Sequence, residues 1–344
     1  MNFSFDSTRL NNVSIVILNY NGEKLLRQFL PSVIQYSGNA TVIVADNAST
    51  DQSLKILESE FPQVRVIQLD KNYGFCGGYN RALKQIEATY YVLLNSDVEV
   101  TPNWLDPLIE TLEKNSVVAA VQPKILAYHQ KDRFEYAGAA GGFIDTFGYP
   151  FCRGRLFDYT EKDNQQYNDT REIFWATGAC MAIRSAAYHQ LGGLDEVFFA
   201  HMEEIDLCWK IQRAGSTVVY CGESHVYHVG GGTLSRSNPS KTYHNFRNGL
   251  FILLNHWTFA ELILKFPIRL ILDYVAAFKF VVDGNALHAL AVLKAHKDFA
   301  IAFNKNFRKR KKLKKQLAFS SRNVYKGMIA LEYFLLRRKN IRTD

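Results

Sequence analysis

Within the first 125 residues two hydrophobic periods alternate, and this alternation restricts the fold more than any other feature. Short, mostly apolar runs rich in β-branched and aromatic residues occupy 13–18, 42–45, 64–69 and 91–94. Runs of that length and composition read as strands buried on both faces. Helical patterns fill the gaps at 23–35, 52–60, 77–87 and 102–114, the last with Thr101 as expected N-cap and Pro102 at the first helical position. Strand and helix in strict succession predict an α/β fold with a parallel sheet and right-handed crossovers.

The pattern then breaks. Residues 127–172 are rich in Gly, aromatic and polar residues without a sustained period. Regularity returns with an expected strand at 174–184, a helix at 204–214 and a strand at 217–220. A Ser/Asn/Pro stretch at 235–240 marks the expected boundary, and the remainder reads as helix. Five scattered cysteines without a CxxC pair argue against a zinc ribbon or dithiol centre, and fit reduced thiols in a cytosolic protein.

In open parallel sheets ligands bind beyond the carboxyl ends of the strands. Three polar clusters fall there: Asn19-Tyr20-Asn21, Asp46-Asn47-Ala48-Ser49 and Asn95-Ser96-Asp97. Each alone suits a turn or an N-cap, whereas three on one sheet edge favour a site. Neither a G-x-G-x-x-G turn after the first strand nor a G-x-x-x-x-G-K-[ST] loop is present, which disfavours nicotinamide chemistry and P-loop hydrolysis. Asp97 suits a hard divalent cation shared with substrate phosphates, and the same segment suits an Asx turn. Glu203-Glu204-Ile205-Asp206 starts a helix, where carboxylates offset the macrodipole. It also follows an apolar wall at 197–200, where a desolvated Glu can act as a general base. Val226 and His228 share one strand face, His225 and Tyr227 the other, and three glycines follow.

Taken in order, VSIVILNYNG, VIVADNASTD, KNYGFCGGYN, YVLLNSDVEV, WATGACMAIRS and GLDEVFFAHMEEIDLCWKIQRAGSTVVYCGESHVYHVGGGT cover roughly residues 13–233. They resemble the inverting family 2 glycosyltransferases of GT-A fold, with rhamnosyltransferase-type enzymes of bacterial surface-polysaccharide (O-antigen) synthesis as the nearest likeness. The resemblance implies a mostly parallel central sheet in a catalytic domain over residues 1–234, with a helical extension over 235–344. It implies a nucleotide-diphosphate sugar donor, a saccharide or polyprenyl-linked acceptor, and a divalent cation, Mg²⁺ or Mn²⁺. It places Asn19, Asn21, Asp46, Asn47, Asn72, Asn80 and Asn95 around the donor, and Asp97 and His228 on the metal. Glu204 falls at the catalytic base with Glu203 before it, and Thr177 and Gly178 on the acceptor side. Two departures stand out: the D-x-D motif is Asn95-Ser96-Asp97, and the base is Glu where Asp is more usual.

Charge divides the chain. Residues 241–344 hold 21 of the 41 Lys+Arg but only 6 of the 33 Asp+Glu, and 308–315 carry seven basic residues in eight positions. Such a tail predicts an anionic partner. With no groove-reading motif and an acidic α/β half, nucleic acid is disfavoured. The N-terminus lacks the apolar core of a signal peptide, and no stretch reaches the ~18 apolar residues of a spanning helix. Glu261, Lys265, Arg269 and Asp273 recur every fourth residue and form one polar stripe on an otherwise apolar helix, which Pro267 should kink. The expectation is a peripheral enzyme on the inner face of the cytoplasmic membrane, held by interfacial helices and basic residues. A non-catalytic nucleotide-sugar-binding protein and nucleic-acid binding through the tail are the competing readings.

Overall fold

A computed structural model describes residues 9–230, 238–318 and 321–341. Strands and helices alternate at first as the periodicity requires: β1 (Val13–Asn19), α1 (Glu23–Tyr36), β2 (Thr41–Asp46), α2 (Ser53–Glu60), β3 (Arg65–Gln68), α3 (Gly74–Leu83) and β4 (Tyr90–Asn95). Next come β5 (Val98–Val100), α4 (Asp106–Lys114) and β6 (Val118–Ala127). The stretch without a period folds into short strands: β7 (Gln130–Phe134), β8 (Gly142–Asp145), β9 (Pro150–Cys152), β10 (Arg155–Leu156), β11 (Tyr159–Thr160) and β12 (Thr170–Ile173). Then follow β13 (Cys180–Arg184), α5 (Ser185–Gln190), α6 (Glu203–Arg213) and the long β14 (Thr217–His228). The C-terminal region is α7 (Pro239–His256), α8 (Phe259–Leu264), α9 (Phe266–Val282) and α10 (Ala286–Gln316), with a two-residue β15 (Val324–Tyr325).

The main sheet runs β12-β14-β6-β13-β4-β1-β2-β3, with β5 on β14 and β7 on β6. Strands β4, β1, β2 and β3 are mutually parallel. Beyond β4 the sheet is mixed: β13 runs antiparallel to β4 and β6, while β14 is parallel to β6. Alternation across the pleat builds two cores. Val16, Tyr91 and Leu93 face one, and Ile15, Ile17, Val92 and Leu94 the other. Leu250–Leu254 of α7 and Phe299 of α10 join the first core, so the helical region shares a hydrophobic interior with the sheet.

Several boundaries differ from the sequence reading. α4 begins at Asp106, not at residue 102, and Pro107 takes the first turn. The reason is tertiary: β5 pairs with the end of β14, and the Thr101 hydroxyl, instead of capping a helix, donates to the His225 carbonyl (2.7 Å). The expected strand over 174–184 is regular only from Cys180, and the strand expected at 217–220 continues to His228. α3 starts three residues early because Gly74 enters it with φ +69. A Cβ at Gly78 would lie 2.7 Å from Leu18, so that glycine lets α3 press on β1. Residues 235–237 of the expected boundary, and the second and third glycines after Val229, lie outside the described residues.

The largest correction concerns the polar stripe. Arg269 and Asp273 are buried, and α9 turns them inward. Arg269 Nε donates to Asp273 Oδ1 (2.9 Å), its guanidinium stacks on Tyr149 (3.8 Å to the centroid), and Tyr149 OH donates to Asp273 (2.7 Å). The apolar side of the same helices is what solvent meets: Phe259, Leu264, Ile271, Phe278, Leu290 and Ile301 are all exposed. Pro267 starts α9 after a break from α8, so no continuous helix is kinked. Within the basic run Lys309 pairs with Asp195, and buried Arg310 donates to the carbonyls of Leu254 and Trp257 (2.6 Å each). Arg308, Lys311, Lys312, Lys314 and Lys315 remain exposed. Among the described residues no helix is long and apolar enough to cross a membrane.

Candidate active site

Parallel register puts the carboxyl ends of β1, β2 and β4 side by side, with Asn19 opposite Asp46 and Leu18 opposite Asn95. The sequence clusters therefore meet. Asn19 Nδ2 donates to Asp46 Oδ1 and Ser49 Oγ (3.1 Å each), and the Ser49 amide donates to Asp46 Oδ2 (2.9 Å). Asp46 is fully buried and serves as the anchor of this turn. Asn47 Nδ2 donates to Asn72 Oδ1 (3.0 Å) and the Gly74 carbonyl (3.1 Å), tying the second turn to the start of α3. Asn21, at φ +52, accepts from the Thr50 amide (2.7 Å). Asn19 Oδ1 is buried without a protein partner, and Tyr20 beside it is half exposed. An exposed aromatic at a strand end offers a stacking face.

Asn80 does not belong to this group. Its Oδ1 accepts from Tyr188 OH (2.6 Å) and the Leu194 amide (3.0 Å), and its Nδ2 donates to the Leu194 carbonyl (2.8 Å). These bonds hold the segment before α6 and leave little of the amide for a ligand. Thr177 is also turned inward, buried, with its amide on Gln122 Oε1 (2.9 Å), while Gly178 lies against Phe75. Trp175, two residues earlier, lines the cleft instead.

Asp97 and His228 converge as their spacing along the chain could not reveal. His228 Nε2 lies 3.2 Å from Asp97 Oδ1, and His228 Nδ1 lies 3.2 Å from Glu135 Oε2. Burial disfavours the charged ring, but Glu135 and Asp97 outweigh it and raise its pKa to about 10. Glu135 leaves no signal in the sequence because it sits in the stretch without periodicity; its carboxylate lies on the Nδ1 side of the ring whose Nε2 faces Asp97. Among the described residues no group of three or more His, Cys, Asp or Glu is arranged to hold a metal ion. The pair would fit a divalent cation that replaces the Nε2 proton between His228 and Asp97 and takes its remaining oxygens from substrate phosphates. Asn95, at the end of β4, is partly exposed on the same edge.

The other half of the site is the start of α6. Phe199, His201 and Met202 all have positive φ (+64, +67 and +75), an accumulation of strain just before Glu203 and Glu204. Asn248 of α7 holds it: its Nδ2 lies within 2.8–3.1 Å of the carbonyls of Phe198, Ala200 and His201. Arg247 adds bonds to the Val197 and Phe198 carbonyls (3.1 and 3.3 Å). The two carboxylates that follow differ in their surroundings. Glu203 is buried, and burial followed by the neighbouring Glu204 pushes its pKa well up. Glu204 lines a cavity of about 210 Å³ with Trp175, His201 and Lys241, and burial raises it to about 7. Its Oε2 has no protein partner, nor does His201 Nε2 in the same wall. The third carboxylate, Asp206, points into the core and pairs with Lys210 (2.6 Å) and His256 (2.8 Å).

A family model for "Glycosyl transferase family 2" matches residues 14–192. The chain belongs to glycosyl transferase family 2. Among the relatives of this family 2 chain is the N-acetylglucosaminyl-diphospho-decaprenol L-rhamnosyltransferase of Mycobacterium tuberculosis, 26% identical over 233 residues, which cover 62% of this chain and 75% of that one. The O-antigen biosynthesis protein RfbC of Myxococcus xanthus is 27% identical over 228 residues, 63% of this chain and 17% of that one. The crystal structure of GalNAc-T7 with UDP, GalNAc and Mn²⁺ superimposes with a TM-score of 0.58 at 16% identity, over 87% of this chain and 58% of that chain. At that identity the likeness establishes a GT-A-like fold for this family 2 member, in accord with its curled mixed sheet and helical C-terminal region.

Proposed function

We propose that this protein is an inverting, metal-dependent glycosyltransferase that moves a sugar, of rhamnose type, from a nucleotide diphosphate to a lipid-linked saccharide in surface-polysaccharide synthesis. The observation that carries the reading is Glu204: a carboxylate with an unpartnered oxygen, lining a cavity at the end of a strained loop. An acceptor hydroxyl is a poor nucleophile near neutral pH. Glu204 removes its proton as the oxygen attacks the anomeric carbon, an effect typically worth 10²–10⁴-fold. A single displacement opposite the leaving group inverts that carbon. Asp97 and His228 would hold the cation, which when bound neutralises charge on the departing diphosphate. Glu135 fixes the imidazole, and the cluster Asn19, Asn21, Asp46, Asn47 and Asn72 shapes the nucleoside pocket with Tyr20 as a stacking face.

Membrane attachment belongs to the same proposal. Burying the Arg269–Asp273 pair while exposing Phe259, Ile271, Phe278 and Leu290 is unfavourable in water unless that face is covered. A bilayer interface covers it, and the exposed basic residues of α10 add about 1 kcal/mol each near anionic lipid. The active site then works beside a lipid-linked acceptor on the inner leaflet of the cytoplasmic membrane, where nucleotide-sugars are available.

The test is sugar transfer from a panel of nucleotide-sugars to a polyprenyl-diphosphate-linked N-acetylglucosamine, with the anomeric configuration of the product read by NMR. Transfer with inversion that needs Glu204 supports the proposal. Binding of nucleotide-sugar with no transfer to any acceptor would favour a non-catalytic role.

A further inference from the structure

The cavity that contains Glu204 is also lined by the cationic side chains of Arg155 and Lys241. Arg155 is only 8% exposed. Its Nε donates to the Tyr136 carbonyl (3.0 Å) and one terminal nitrogen to Cys152 Sγ (3.4 Å), both neutral acceptors. The structure gives it no carboxylate partner among the described residues; Glu135 acts on it only through space. Lys241 approaches the same aromatic ring. Arg155 Cζ and Lys241 Nζ lie 4.3 and 5.7 Å from the Tyr136 centroid. A buried guanidinium costs several kcal/mol unless it is compensated. Lys241 adds a second cation to the lining of the same cavity, and an anion bound there would pair with Arg155 and be attracted by Lys241.

Building on the glycosyltransferase reading, we propose that Arg155 and Lys241 form a phosphate subsite in the acceptor cavity, which grips the phosphate ester that links the acceptor sugar to its lipid. The subsite lies on the wall that Glu204 also lines, so an anchored phosphate would set how far into the cavity the acceptor hydroxyl reaches. Tyr136 would serve as the shared platform. Arg269, Tyr149 and Pro150 extend this wall toward α9, which gives the chain beyond the phosphate a route to the exposed apolar helices. An acceptor lacking the phosphate would therefore bind poorly and be positioned poorly.

The test is a calorimetric titration of the full chain in EDTA, where the cation-dependent sugar-donor site is silent. Farnesyl diphosphate is the probe, with farnesol and a glucuronate-terminated disaccharide as controls. Saturable binding of farnesyl diphosphate is expected, with neither control competing. Lys241→Gln and Arg155→Gln should each weaken it about tenfold or more, the loss of one charge-assisted contact. Nucleoside diphosphate binding measured with Mn²⁺ should stay unchanged in Lys241→Gln. Where Arg155→Gln unfolds at lower temperature, the Lys241→Gln result decides. Three results would overturn the subsite: equal farnesyl diphosphate binding in both variants, stronger binding of the glucuronate, or a loss confined to nucleoside diphosphate, which would assign the cations to the sugar donor. The transferase reading fails separately, if farnesyl diphosphate binds as expected while the parent protein transfers no sugar from any nucleotide-sugar of the panel.

Discussion

Replacing Glu204 by Gln should inactivate the protein and also stabilise it, and the second effect should depend on pH. Burial lifts the Glu204 carboxyl from 4.5 to about 7. Below pH 4.5 the group is protonated in both the folded and the unfolded chain and contributes no penalty. As pH rises toward and past 7 the unfolded chain gains by ionising a solvated carboxyl, whereas the folded chain must ionise a desolvated one, so stability is lost over that window. At about 1.4 kcal/mol for each pH unit between the two values, the full penalty is about 3 kcal/mol. Glu203, buried alongside and pushed up in the same direction, shares it, so about 1–3 kcal/mol falls to Glu204. Gln has the same shape and no ionisation. Thermal unfolding should therefore show Glu204→Gln melting about 1–4 °C above the parent at pH 8 and close to it at pH 4.5. Turnover measured on the same preparations should fall 10²-fold or more, with nucleotide-sugar affinity retained. A variant no more stable at pH 8 than the parent, or one that keeps its turnover, would refute the assignment of Glu204 as a desolvated base. Transfer to Glu203→Gln of both effects would exchange the two roles.

Asn248→Asp keeps the volume but replaces a donor by an acceptor facing the carbonyls of Phe198, Ala200 and His201; we expect a loss of about 2–4 kcal/mol, read by denaturant unfolding. Turnover should drop more than sugar-donor affinity, and hydrogen exchange at 198–202 should rise. Asp97→Ala and His228→Ala should each abolish cation-dependent nucleotide-sugar binding in calorimetry, and EDTA should stop transfer; full activity in EDTA would remove the metal from the scheme. Co-sedimentation should show binding to anionic vesicles that weakens in high salt. Ile271→Glu with Phe278→Glu should abolish it, and neutralising Arg308, Lys311, Lys312, Lys314 and Lys315 should reduce it. Indifference to both changes would leave the apolar face without a lipid partner.

Local patterns decided a good part of this protein. β1, β2 and β4 could be read because strands buried on both faces and helices of one amphipathic period leave signals within ten residues of chain. By contrast β3, at the sheet edge with Arg65, Val66 and Gln68 exposed, is not buried on both faces. The polar turns at Asn19, Asp46 and Asn95 follow from the same register, since a parallel sheet brings strand ends together whatever else the chain does. Other features had no local signal. Glu135 reaches His228 from a distance of 93 residues through a stretch without periodicity. α4 starts late because β14 claims Thr101, and Asn80 is spent on Leu194, 114 residues away. The four-residue spacing of Glu261, Lys265, Arg269 and Asp273 was legible as one stripe of a helix. Periodicity tells which residues share a face, but which face meets the protein depends on what the rest of the chain offers. Here Tyr149 and His296 offer partners to Asp273, so Arg269 and Asp273 turn in and the apolar residues turn out.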